Sequence, residues 1–188
     1  LGDALNVFLN PDRIVVGCRD EYSKKIISKI LTNITKNVIW MSVESAEMTK
    51  HAINSFLALS VTFANELASI CEKVGADAKQ VELGLKTDIR IGKKAYLGPG
   101  GPFAGGTLAR DIKFLESISK KFSLQNKIIT SVFKSNQNHK LWHQKLILNE
   151  FNGNIIKKNF LILGLTYKPD TSTLRRSQSI ELINWLLS

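Results

Sequence analysis

Residues 42–75 read S-V-E-S-A-E-M-T-K-H-A-I-N-S-F-L-A-L-S-V-T-F-A-N-E-L-A-S-I-C-E-K-V-G, and this stretch decides the architecture. Ser42 has the side chain of an N-cap, Glu44 and Glu47 sit where the helix dipole favours negative charge, and Gly75 is placed to be the left-handed residue that ends a helix. The signals predict one helix over Val43–Val74, about 48 Å long at 1.5 Å per residue. Between Ile53 and Cys71 its apolar residues (Ile53, Phe56, Leu57, Leu59, Val61, Phe63, Leu67, Ile70) surround the axis instead of forming one stripe. Such a helix is covered on both sides, and a second subunit is the expected second cover.

Working outward, Arg13–Gly17 and Asn37–Met41 look like short apolar strands flanking a helix, Glu21–Ile34. After the long helix come a shorter one, Ala78–Lys86, and a loop rich in Gly and Pro, Leu97–Gly106. A helix then begins near Leu108, and a further long helix is expected over Asn126–Asn149, ended by Asn152-Gly153. The last segment reads as a strand, Phe160–Leu165, followed by a helix from about Thr173 to Ser188. That is half of a βαβ unit, and a parallel strand needs neighbours. The chain is therefore expected to be a mostly α fragment of an α/β protein, truncated early in its last sheet. No internal repeat or low-complexity tract is seen.

The 188 residues, 44% hydrophobic, suffice for one large or two small cores. The net charge of +10 favours anionic partners, but no basic run with interleaved aromatics appears, so no nucleic-acid partner is expected. Cys18 and Cys71 form no CxxC, which argues for a reducing cytoplasm and against a metal site. Ala52–Cys71 approaches the length of a membrane span but contains Asn54, Asn65 and Glu66, so a buried helix and no membrane partner are expected.

Two constellations are chemically suggestive. The loop L-G-P-G-G-P-F-A-G-G (97–106) feeds a helix start, where backbone N–H groups can approach a phosphate or sugar closely, although it has neither P-loop nor G-x-G-x-x-G spacing. As an alternative it is a simple connector. Lys50 and Asn54 lie four residues apart, on one face of the long helix, and together suit an oxyanion: the lysine by charge, the asparagine by a hydrogen bond. Taken alone, the pair also reads as a solvated lysine and a satisfied polar contact.

The series S-A-E-M-T-K-H-A-I-N-S-F-L-A, F-A-N-E-L-A, D-I-R-I-G and G-P-F-A-G-G-T-L-A-R-D resembles the UDP-glucose/GDP-mannose dehydrogenase family in order and spacing. The earlier L-N-P-D-R-I-V-V-G and later G-L-T-Y-K-P-D-T-S-T-L-R-R-S are similar to the same family, so the likeness covers nearly the whole chain. The resemblance implies a subunit with an N-terminal NAD-binding Rossmann domain, a central helical dimerisation domain and a C-terminal nucleotide-sugar-binding Rossmann-like domain. Residues 1–42 would end the first, 43–153 would form the second and 154–188 would begin the third. NAD would be held by N-terminal residues absent from this sequence. Carried over by motif, Lys50 and Asn54 hold the reacting sugar oxygen, Asp111 helps the hydrolytic water, and Arg90 reaches the substrate of the neighbouring subunit. Lys168 lies near the nucleotide sugar, and the loop containing Tyr96, Leu97, Gly105 and Gly106 wraps sugar and pyrophosphate. A homodimer through the long helix is implied.

The match departs where F-A-G-G-T-L-A-R-D aligns with F-G-G-S-C-F-P-K-D, which puts Thr107 on the catalytic cysteine. A thiol becomes a thiolate under modest electrostatics, whereas a threonine hydroxyl needs a strong adjacent base to act as a nucleophile. Arg110 replaces the lysine of that motif, and R-E-S becomes Arg175-Arg176-Ser177. The resemblance therefore implies a nucleotide-sugar 6-dehydrogenase with altered chemistry, or a catalytically silent homologue that binds a nucleotide sugar or dimerises with an active relative.

Overall fold

A computed structural model describes residues 4–104, 106–166 and 172–188. The chain divides into two compact units, Leu1–Ile53 and Asn54–Ser188, with the division inside one continuous helix.

In the first unit, β1 (Ile14–Gly17) and β2 (Val38–Met41) pair in parallel, in register from Ile14 opposite Val38 to Gly17 opposite Met41. Parallel neighbours require a crossover, supplied by α2 (Glu21–Leu31). Asp20 caps α2, its Oδ1 accepting from Ser23 N at 2.7 Å. Asn37 Nδ2 donates to Asp12 O at 2.6 Å and ties the two strand entries together. Gly17 ends β1 against the start of the long helix α3 (Val43–Val74): a Cβ there would lie 2.7 Å from Val43 Cα, so only glycine allows this approach. Ser42 caps α3 as expected, its Oγ accepting from Ser45 N at 3.1 Å. A short helix, α1 (Ala4–Leu9), precedes β1 and was not anticipated from the sequence.

The second unit is helical. It contains α3 from Asn54, then α4 (Ala78–Thr87), α5 (Leu108–Lys121), α6 (Lys127–His139), α7 (Trp142–Glu150) and α8 (Gln178–Leu187). Gly75 ends α3 at φ +74°, the left-handed conformation its position predicts. The core joins Ala58 and Val61 of α3, Phe103 of the glycine loop, Ala109 and Ile112 of α5, and Val132 of α6. The buried face of α3 is built from small and polar residues, and two of its hydroxyls turn back onto their own helix: Thr62 Oγ1 donates to Ala58 O and Ser60 Oγ to Phe56 O, each at 2.9 Å. The apolar all-round character expected of α3 is thus divided, with Phe56, Phe63 and Ile70 left exposed.

Three expectations are corrected. Residues 160–165 form no strand: Leu161 and Leu163 are 84% and 85% exposed, and no strand among the described residues offers them a ladder. The single helix expected over 126–149 is two helices, because Leu141 adopts φ −83°, ψ 0° and its N–H bonds Asn138 O, closing α6 with a tighter turn. The last helix begins at Gln178, not near Thr173, because Ser177 supplies the cap by accepting from Ile180 N at 3.4 Å. The mostly α character with a small parallel α/β element matches the expected fold class.

Candidate active site

The second unit brings Asn54 and Asp111, distant in sequence, into direct contact. Asn54 projects from α3 and Asp111 from the first turn of α5; they are 7% and 1% exposed, and Asn54 Nδ2 donates to Asp111 Oδ2. A carboxylate so deeply buried needs hydrogen-bonding partners, and the amide supplies one of them. The other oxygen, Oδ1, receives a longer contact from Arg110 Nε at 3.5 Å. Lys50 lies one helical turn before Asn54 in the sequence of α3, is exposed, and belongs to the first unit.

Thr107 is the residue before α5, and its carbonyl accepts from Asp111 N at 3.1 Å, which stacks Asp111 one turn beyond it. Its side chain makes no capping hydrogen bond, and among the described residues no base reaches its hydroxyl. Thr107, Tyr96 and Gly106 line a cavity of about 720 Å³. Its walls are Leu57 and Val61 of α3, and its cationic side is Arg175 and Arg176. The volume falls in the range of small-molecule sites, mostly apolar with a few charged groups.

The loop over this cavity is held by side chains that bond its backbone. Asn136, on α6 and 2% exposed, clamps Phe103 twice: its Oδ1 accepts from Phe103 N at 2.9 Å and its Nδ2 donates to Phe103 O at 3.0 Å. Asn65 of α3 accepts from Gly100 N at 2.9 Å, and His139 Nε2 lies 2.8 Å from Gly100 O. From α8, Gln178 Nε2 donates to Pro102 O at 3.2 Å. Reading the sequence assigned no role to Asn65, Asn136, His139 or Gln178. The available signal was a polar residue, Asn65 or Asn136, embedded in the apolar repeat of a helix.

Against a family model, residues 44–138 match the central domain of the UDP-glucose/GDP-mannose dehydrogenase family, about half of the chain. The chain belongs to this family. It is 39% identical to a UDP-glucose 6-dehydrogenase of Rickettsia bellii over 99% of this chain and 43% of that protein. It is 33% identical to UDP-glucose 6-dehydrogenase TuaD of Bacillus subtilis over 98% of this chain and 40% of that protein. Its fold is similar to a UDP-glucose dehydrogenase structure from Pyrobaculum islandicum, with a TM-score of 0.87 at 29% identity, covering 98% of this chain and 42% of the other. The chain thus spans less than half the length of the relatives it matches.

Within this member of the UDP-glucose/GDP-mannose dehydrogenase family, the remaining expected site residues are more scattered. Arg90 lies away from Thr107, in an apolar cleft beside α3 that Phe56, Phe63 and Leu97 also line. Its guanidinium is engaged by Asp88, with Nε to Oδ1 at 3.0 Å and Nη2 to Oδ2 at 2.6 Å. That pairing holds the Asp88 carboxyl below its ordinary range and pushes the Arg90 guanidinium further up. Tyr96 borders both this cleft and the Thr107 cavity. Gly105 and Lys168 lie outside the described residues. No cluster that suits a metal is found among the described residues.

Proposed function

We propose that the protein containing this chain is an NAD-dependent nucleotide-sugar 6-dehydrogenase of the UDP-glucose type, which oxidises the sugar C6 alcohol with chemistry altered at Thr107. The observation that carries this reading is the buried Asn54–Asp111 pair, with Asp111 one helical turn beyond Thr107, which itself lines a cavity with two arginines. The sugar end of the ligand lies against Thr107, Gly106 and Tyr96, and Arg175 and Arg176 suit its phosphates.

Each side chain has a distinct task. Asn54 spends one amide hydrogen on Asp111 and keeps a second for the sugar oxygen. Asp111, fixed by Asn54, orients water. Thr107 stands in the place of a nucleophile, and among the described residues no base lies beside its hydroxyl, so the covalent acyl step is lost and the product is the aldehyde.

At the β1–α2 turn, the Asp20 carboxylate already accepts from the Ser23 amide in the first turn of α2. The resemblance to the family motifs assigns NAD to an N-terminal domain. The protein is placed in the cytoplasm, where its free thiols Cys18 and Cys71 stay reduced; periplasmic or secreted material in a fractionation would refute this.

The exposed residues Phe56, Phe63 and Ile70, 67%, 49% and 58% accessible, recur every seven residues along α3 and suit a second copy of the chain. The homodimer is assigned to this face.

The test follows NADH formed per UDP-glucose consumed by the whole protein and by its Thr107→Cys variant. The expected result is about one NADH per sugar from the wild type and about two from the variant. Two from the wild type would overturn the assignment of Thr107, and none from either would overturn the dehydrogenase reading.

A further inference from the structure

Two residues of the glycine loop are held by asparagines, and they are held differently. At Phe103 the Asn136 amide takes both backbone groups, accepting from N and donating to O. At Gly100 the task is split: Asn65 Oδ1 accepts from Gly100 N at 2.9 Å, while His139 Nε2 takes Gly100 O at 2.8 Å. A carbonyl only accepts, so the hydrogen in this bond sits on His139 Nε2. The split leaves Asn65 Nδ2 buried with no partner among the described residues, on a side chain that is 2% exposed. A buried donor without an acceptor is costly, and Gly100 O, a carbonyl of the very residue that Asn65 already holds, could satisfy it.

The peptide between Gly100 and Gly101 is suited to change partners. Its rotation needs only ψ of Gly100 and φ of Gly101, and glycine is the residue in which both turn against the least steric resistance. A Cβ on Gly100 would meet nothing within 4 Å, whereas one on Gly101 would lie 3.2 Å from Gln178 Oε1. The His139 ring favours the orientation seen: it stacks on Trp142 with centroids 5.8 Å apart and planes 18° from parallel, which fixes the donor in advance. In a trans peptide the N–H opposes the C=O, and Gly101 lines the Thr107 cavity. Holding Gly100 O on His139 therefore fixes the direction of the Gly101 N–H at that wall.

We propose that the Gly100–Gly101 peptide is a two-position switch, its carbonyl either on His139, as seen, or turned onto Asn65 Nδ2, so that Asn65 clamps Gly100 as Asn136 clamps Phe103. His139 is then a positioning residue for the Thr107 cavity, acting through the loop backbone. Its effect on turnover rests on the dehydrogenase reading, whereas the exchange of partners does not.

His139→Phe keeps a ring on Trp142 and removes the donor. In that variant, NMR of the isotope-labelled chain should show one Asn65 Nδ2 hydrogen becoming bonded and slow to exchange, and the dipolar coupling of the Gly101 N–H changing with the peptide plane. His139→Gln again supplies a donor and should restore the wild-type signals. In the whole protein, His139→Phe should raise KM for UDP-glucose about tenfold, the value of one hydrogen bond, with kcat little changed, and His139→Gln should recover it. An Asn65 amide and a Gly101 N–H that ignore His139→Phe, or a glutamine variant that behaves like the phenylalanine one, would overturn the switch. A turned peptide with unchanged KM would overturn the positioning role. A turned peptide in a protein that forms no NADH in any version would support the switch and refute the dehydrogenase reading.

Discussion

Replacing Asn136 by alanine tests how the glycine loop is held. Asn136 and Phe103 are 2% and 7% exposed, and two hydrogen bonds of 2.9 and 3.0 Å join the amide to the Phe103 backbone. Alanine removes both and leaves the Phe103 N–H and C=O without partners in the core. At about 1–3 kcal/mol for each buried group left unsatisfied, the loss is about 2–6 kcal/mol. For a unit of this size that lowers Tm by about 10 °C. Asn136→Asp separates the two bonds: its carboxylate still accepts from Phe103 N but can no longer donate to Phe103 O, and it sets like partial charges against each other. Denaturation followed by circular dichroism measures the loss, and amide hydrogen exchange at Phe103 locates it. Protection at Phe103 should vanish in the alanine variant and persist in the aspartate one. An alanine variant within about 0.5 kcal/mol of wild type and still protected at Phe103 would refute the clamp.

Three further outcomes follow from the same geometry. Burial, then the nearby His139 charge, holds the His143 imidazole below its ordinary 6.5, so the unfolded chain takes up this proton first. Stability should therefore fall as pH drops through 6.5 and level off below the folded value, and His143→Gln should flatten this part of a Tm-against-pH profile. Phe63→Glu places a charge on the exposed face of α3 and should shift the sedimentation coefficient to that of a monomer; an unchanged dimer would remove α3 from the interface. Gly17→Ala drives a Cβ to 2.7 Å from Val43 Cα and should cost the first unit about 1–3 kcal/mol in denaturation, whereas a neutral result would mean that α3 can yield there.

Local signals made α3 legible, because its start, its length and its left-handed end all depend on residues adjacent in sequence: Ser42, Glu44, Gly75. The pairing of Asn54 with Asp111 was a different matter. Helix spacing could set Asn54 near Lys50, but only the packing of α5 on α3 brings a residue 57 positions away into contact, and the family motifs marked both without showing that they touch. The strand expected at 160–165 failed for the complementary reason. Its alternating leucines have the right period, but a strand exists only with a neighbour, and no neighbour is among the described residues. The break at Lys140–Leu141 had no signal at all, since neither residue is a helix breaker.

The glycine loop shows why composition alone misjudges a site. Five glycines and two prolines in residues 97–106 suggest a flexible connector, because glycine loses more conformational freedom on folding than any other residue. That entropy must be offset elsewhere, and no regular ladder does so, since prolines lack a donor and among the described residues the segment pairs with no strand. The bonds come instead from side chains on three separate helices: Asn65 and His139 on Gly100, Gln178 on Pro102, and Asn136 on Phe103. Each reaches the backbone and leaves no loop side chain in its way, so the glycines can stay bare beside the cavity. The loop is thus held from behind through its peptide groups, and the face toward Thr107 and the arginines stays open to a ligand.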